Sequence, residues 1–112
     1  MFKECHQEAD WQEAVKASYD KPVLVFKHST RCPISASRWP VVRAFADKEP
    51  GVECFQLKVI EDRSLSLLVA QATGIQHESP QVILLHKGEA VWHTSHWSIT
   101  EEEIRAALSR IH

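Results

Sequence analysis

Apolar residues fall along this chain in two alternating patterns, short continuous runs and longer stretches broken at helical spacing. Trp11, Ala14, Val15 and Ser18 recur at that spacing, and Asp10 precedes Glu13 by three residues, so a helix capped near Asp10 and ending by Asp20 is predicted. Pro22 then opens Val23-Leu24-Val25-Phe26, a run too short for a helix that fits a strand buried on both faces. A second helix is expected from Pro33 into the forties, because proline is tolerated in a first turn; Pro40 inside it should bend it. Val52 to Ile60, punctuated by Pro50-Gly51, reads as a strand. Asp62 can cap a helix through Leu65, Leu67, Leu68, Val69 and Ala72 that stops at Gly74. Val82-Ile83-Leu84-Leu85, the Lys87-Gly88 turn and Ala90-Val91-Trp92-His93 form a hairpin with Pro80 at its entrance. Thr100 and Glu103 make a capping box for a closing amphipathic helix carrying Ile104, Ala107, Leu108 and Ile111.

This order gives an α/β fold: a βαβ unit followed by a hairpin and a helix, with a central mixed four-stranded sheet flanked by helices. Its 112 residues are expected to form a single domain, residues 1–112, around one sizeable core. Thirteen basic against fifteen acidic residues leave a formal charge of −2, which provides no electrostatic footprint for nucleic acid or anionic lipid. Neither nucleic acid nor membrane is therefore an expected partner. Met1 to Asp10 is too polar for a signal-peptide core, so the protein reads as cytoplasmic.

Three cysteines stand far apart, which suggests neither a disulfide framework nor a four-cysteine zinc site. Cys32 occupies the junction between the first buried strand and a helix N-terminus, where unpaired N–H groups and the helix dipole favour negative charge. Arg31 beside it, with Lys27 and His28 as further contributors, adds positive charge that favours the thiolate, the nucleophilic form. Ser29, Thr30 and Arg31 make the approach polar. Cys32-Pro33-Ile34-Ser35 is a C-x-x-S motif, so no neighbouring thiol can attack a mixed disulfide formed on Cys32, and resolution needs an external thiol. From the next helical turn Ser35 could donate a hydrogen bond to the Cys32 sulfur. Ser79-Pro80, just before a strand, is a place where a cis proline can present backbone groups to a ligand.

The ordering resembles the thioredoxin fold across nearly the whole chain, with Cys32 in the active-site position and Pro80 in that of the cis proline. The string His28-Ser29-Thr30-Arg31-Cys32-Pro33-Ile34-Ser35, with Ser79-Pro80-Gln81, is similar to the monothiol bacilliredoxins, the bacillithiol system redox-active or YtxJ-like family. That resemblance implies a thiol–disulfide oxidoreductase in which Cys32 attacks a protein–bacillithiol mixed disulfide, frees the client thiol and carries the bacillithiol away. Its partners would be S-bacillithiolated client proteins and a low-molecular-weight thiol, with bacillithiol as co-substrate and no tightly bound cofactor. Catalytic roles fall on Cys32 and Ser35, and substrate contacts on Thr30, Arg31, His28, Pro33, Ser79 and Pro80. Bacillithiol carries a malate glycoside, so Arg31 first, then His28 and Lys27, are candidates to meet its carboxylates. Lys27, in a buried strand, is expected to run its ammonium out to the surface. The W-C-G-P-C signature of dithiol thioredoxins is absent, and Phe26 stands in the region where those proteins bury a carboxylate.

Cys54 inside a strand reads as an inert buried thiol, and Cys5 near the N-terminus as an exposed one, the only other sulfur with a conceivable path to Cys32. The histidines, including His77, His86, His93, His96 and His112, match no zinc template. Trp92 and Trp97 read as packing or edge cover. Three other readings remain: a general thioredoxin-like reductase or peroxidase using another small thiol, an iron–sulfur carrier of the monothiol-glutaredoxin type, and a redox-silent interaction domain. The C-G-F-S string of the iron–sulfur carriers is missing.

Overall fold

In the computed structural model, which describes residues 2–111, five strands and four α-helices alternate along the chain. They are β1 (Phe2–Glu4), α1 (Glu8–Ala17), β2 (Val23–His28), α2 (Pro33–Lys48), β3 (Glu53–Lys58), α3 (Arg63–Thr73), β4 (Gln81–His86), β5 (Glu89–Ser95) and α4 (Glu101–Ser109). His112 lies outside the described residues. The sheet order is β1-β3-β2-β4-β5, with β1 and β2 parallel to β3, and β4 antiparallel to both β2 and β5. The expected mixed sheet flanked by helices is present, and β1 extends it from four strands to five. Three residues with a polar majority carry no strand pattern of their own; pairing of Phe2 to Glu4 with Cys54 to Gln56 supplies it.

Every residue of β2 is buried, as its continuous apolar run requires of a central strand covered on both faces. Strand alternation then sorts the core into two layers. Val23 and Val25 join Phe55, Leu57, Ile83 and Leu85 under α1 and α3, with Trp11, Leu65 and Val69. Leu24 and Phe26 join Cys54, Val82 and Leu84 on the other face, with Val42 and Phe45 of α2 and Ile104 of α4.

The ends of the elements follow local chemistry. Helix α1 starts two residues ahead of Asp10: Gln7 is its N-cap, and the Asp10 carboxylate accepts from the backbone N–H of His6 (2.9 Å) and Gln7 (3.0 Å). Asp10 thus serves from the third helical position rather than from the cap. Gly74 ends α3 at φ 72°, a left-handed conformation in which glycine meets no steric penalty. Thr100 Oγ1 accepts from the Glu103 N–H at 3.2 Å, fixing the start of α4. Helix α2 continues through Pro40, which leaves the Ala36 carbonyl without its usual helical donor.

Candidate active site

Parallel strands β2 and β3 end at one edge of the sheet, and antiparallel β4 begins there, with Lys27 opposite Gln81 in register. Three loops therefore meet at this edge: residues 29–32, residues 59–62 and the segment that enters β4. The Val59 N–H donates to the His28 carbonyl at 2.9 Å, and Thr30 Oγ1 donates to Glu61 at 3.5 Å, joining the first two loops. The third enters through a cis Ser79–Pro80 bond, and the buried Pro80 carbonyl accepts from the His96 N–H at 2.9 Å.

Cys32 is the N-cap residue of α2, half-buried, with Pro33 exposed at the first helical position. Its N–H donates to the Ser29 carbonyl at 3.3 Å and its carbonyl accepts from Ala36 at 2.9 Å, which holds the residue at the helix mouth. Thr30 and Arg31 are exposed beside it, and Ser79 is half-buried with its hydroxyl unpartnered. Five of the eight sequence-predicted residues, Thr30, Arg31, Cys32, Pro33 and Ser79, thus present surface at this edge, while His28, Ser35 and Pro80 lie beneath it.

Two side chains do something other than expected. Ser35 is fully buried, and its Oγ accepts the Ser29 N–H at 2.9 Å and lies 2.6 Å from His28 Nδ1. Its hydroxyl braces the loop from below, and among the described residues no hydrogen bond joins it to the Cys32 sulfur. His28 is also buried, stacked on Phe26 (centroids 5.2 Å apart) and on Trp39 (5.8 Å). Burial and the Lys58 charge hold its pKa below the ordinary histidine value, with partial opposition from Glu61 and Glu4. The ring is an uncharged brace at neutral pH, not a cation facing a ligand.

Lys27 overturns the expectation of an ammonium led out to the surface. Its side chain is 0% exposed, its Nζ donates to the Ser66 carbonyl of α3 at 3.2 Å, and burial pulls its pKa from 10.5 to about 8. Alternation along β2 points Lys27 to the α3 face, where α3 seals the route to solvent. Cys5 is likewise buried rather than exposed, because its N–H continues the β1 pairing by donating to the Gln56 carbonyl at 2.9 Å and its side chain enters the α1 layer. Burial pushes the Cys5 thiol up to about 12 and the Cys54 thiol up to about 11. Neither is a nucleophile, and Cys32 is the accessible sulfur of the three. Among the described residues no group of three or more His, Cys, Asp or Glu side chains could hold a metal ion.

A cleft of about 440 Å³ lies between α1, the end of α3 and the β4–β5 turn, away from Cys32. The edge that carries the thiol has a smaller one of about 170 Å³, lined by Val59, Ile60, Arg63, Ser66, Leu67 and His77. Arg63, Ser66 and Trp39 carry no local motif in the sequence; the one available signal was the position of Lys27 directly after the buried run Val23–Phe26, in a strand covered on both faces. Trp97 is exposed with the Arg38 guanidinium over its ring at 5.2 Å, whereas Trp92 packs against the core as expected.

Residues 3–104 match the family model described as monothiol bacilliredoxin BrxC. The chain belongs to the monothiol bacilliredoxin family. A solved structure described as a candidate oxidoreductase with a thioredoxin fold is 30% identical, with a TM-score of 0.87 over 94% of this chain and 91% of its own. Thioredoxin from Fasciola hepatica superposes with a TM-score of 0.79 at 18% identity over 97% of this chain and 98% of its own. Thioredoxin NaTrxh from Nicotiana alata gives 0.76 at 24% identity over 96% and 89%, and these two establish the fold alone. As a bacilliredoxin of thioredoxin fold, the protein is a thiol–disulfide oxidoreductase. No helix among the described residues is long and apolar enough to cross a membrane.

Proposed function

We propose that this bacilliredoxin removes bacillithiol from S-bacillithiolated client proteins by a monothiol route. One observation carries the reading: Cys32 is accessible at the mouth of α2, while the position three residues on is a buried serine and both other thiols are sealed in the core. A mixed disulfide on Cys32 therefore has no internal thiol to resolve it.

The Cys32 thiolate attacks the bacillithiol sulfur of the client mixed disulfide. That S–S bond breaks, the client leaves as a thiolate, and a Cys32–bacillithiol disulfide forms. A second bacillithiol thiolate then attacks the carried sulfur, releasing oxidised bacillithiol and regenerating the Cys32 thiolate, so the electrons come from the low-molecular-weight thiol. Helix-mouth N–H groups favour the negative charge that Cys32 holds before attack and after release. Arg31, Thr30, Pro33 and Ser79 form the surface around the sulfur, with Pro80 setting the path of the adjoining loop. His28 and Ser35 act as positioning residues through the loop. A bacillithiol-dependent cycle belongs to a reducing compartment, and we place the protein in the cytoplasm.

Intact mass after treatment with oxidised bacillithiol tests the reading. One adduct on the wild type, retained in Cys5→Ala and Cys54→Ala and absent in Cys32→Ala, is expected. A wild type that acquires no adduct yet reduces ordinary disulfides would sink it.

A further inference from the structure

Beside the thiol edge lies the cleft of about 170 Å³ between the end of β3, the first turns of α3 and the segment before Pro80. Its polar lining is basic or neutral: Arg63, His77 and Ser66, with Val59, Ile60 and Leu67 as apolar walls and no acidic residue among the six. Arg63 makes no ion pair among the described residues, and Ser66 Oγ lies 3.2 Å from His77 Nδ1. Behind Ser66 sits the fully buried Lys27 ammonium, whose one protein partner among the described residues is the Ser66 carbonyl. A buried charge without a carboxylate is costly and is normally paired. Next to Lys27 in register, the buried Gln81 Oε1 also lacks a partner, its amide nitrogen being spent on the Gln76 carbonyl at 3.1 Å. Burial, then the Lys27 and Arg63 charges, lower the proton affinity of His77, with Glu78 opposing, so both cations act on the neutral imidazole across this small volume. Of the other nearby carboxylates, Glu61 is turned to Thr30 and Asp62 to the His6 ring.

We propose that this cleft receives a carboxylate of the small thiol that Cys32 carries, with Arg63 and His77 at its mouth and Lys27 supplying positive charge from beneath. The identity of that thiol as bacillithiol rests on the functional reading above; the carboxylate preference does not. A recess of this size fits one arm of a small molecule, whereas a client chain would need an open groove. The site supplements Arg31, which is exposed on the other loop. It gives the enzyme a means of choosing an anionic thiol that does not depend on the near-neutral charge of the whole protein.

Two simple disulfides test the cleft without bacillithiol: dianionic 3,3′-dithiodipropionate and uncharged 2-hydroxyethyl disulfide. In each, Cys32 attacks one sulfur, the probe S–S bond breaks, and half the probe leaves as thiolate while half stays on Cys32. The ratio of the two second-order rate constants, followed by intact mass, is the readout. In Arg63→Gln the ratio of dianionic to uncharged rate should fall about tenfold, as expected for loss of one charge-assisted hydrogen bond. Lys27→Met should lower it in the same direction. Lys16→Gln, which removes the same charge from the last turn of α1, should leave it unchanged. A ratio in Arg63→Gln that stays within about twofold of the wild-type value, whether both rates hold or both fall, overturns the proposal. So does a ratio that holds for the probes but falls for a glutamate-bearing peptide mixed disulfide, which would assign the cleft to clients. A wild type with the expected probe ratio and no bacillithiol adduct would sink the functional reading alone.

Discussion

Ser35 Oγ lies 2.6 Å from Nδ1 of His28, and the same oxygen accepts the Ser29 N–H at 2.9 Å. One buried hydroxyl thus ties the end of β2, the loop before the thiol and the first turn of α2 into a single unit. A dithiol oxidoreductase keeps its resolving sulfur at this position; here the position is structural. The monothiol chemistry and the bracing of the loop are two consequences of one residue.

Ser35→Ala should leave the Ser29 N–H and the His28 ring nitrogen buried without partners, at a cost of about 1–3 kcal/mol. Urea denaturation of the wild type and variant checks this. The Cys32 adduct should still form in the variant, because the hydroxyl makes no hydrogen bond to the sulfur among the described residues. An unchanged midpoint with abolished adduct formation would show instead that Ser35 acts on the sulfur directly.

His28 gives the fold a pH dependence of defined sign. Its folded pKa is depressed by burial and Lys58, so below about 6.5, where the unfolded histidine begins to protonate, the unfolded state binds more protons than the folded one. Stability from neutral His28 is present above that pH and is lost as the pH falls. His77, also depressed, acts in the same direction, and His6, raised by its hydrogen bond to Asp62, acts in the opposite one. His28→Gln isolates the term: the stability difference between wild type and variant should shrink from pH 7.5 to pH 5 in paired thermal melts.

The three thiols should separate by reactivity. In native protein, iodoacetamide should label Cys32 alone, since Cys5 and Cys54 are buried and held as thiols by desolvation. In denaturant all three should react. Peptide mapping at neutral pH reads the sites directly, and native labelling of Cys5 would reopen a remote resolving role for it.

How far these features were legible beforehand depends on the range of the contacts behind them. The buried run Val23 to Phe26, the Cys32-Pro33 junction, the Gly74 stop and the Thr100 cap are local chemistry, and the chain spells them out. Strand β1 is different, because Phe2 to Glu4 become a strand only by pairing with residues about fifty positions away. The Ser35 hydroxyl faced two available directions, toward the sulfur or under the loop, and only the packed loop decides between them. The fate of Lys27 is hidden from the local sequence for the same reason: a long side chain in a strand reaches water unless another element covers it, and the covering residue, Ser66, is 39 positions on.

Lys27 also makes the sharpest stability prediction. Its ammonium is charged in both folded and unfolded states below about pH 8, so the burial penalty is fully felt there. Between about 8 and 10.5 the folded protein releases this proton while the unfolded chain keeps it, and stability therefore rises with pH across that window. At 1.36 kcal/mol per pKa unit, the rise attributable to Lys27 is roughly 3 kcal/mol. Lys27→Met removes the charge while keeping most of the volume, so it should be the more stable protein at pH 7, and its advantage should shrink as the pH rises from about 8 to 10.5. Urea denaturation of both proteins from pH 7 to pH 10.5 is the measurement. A wild-type advantage at pH 7 would mean that the Lys27–Ser66 contact outweighs desolvation, and parallel pH profiles would mean that water reaches the ammonium in solution.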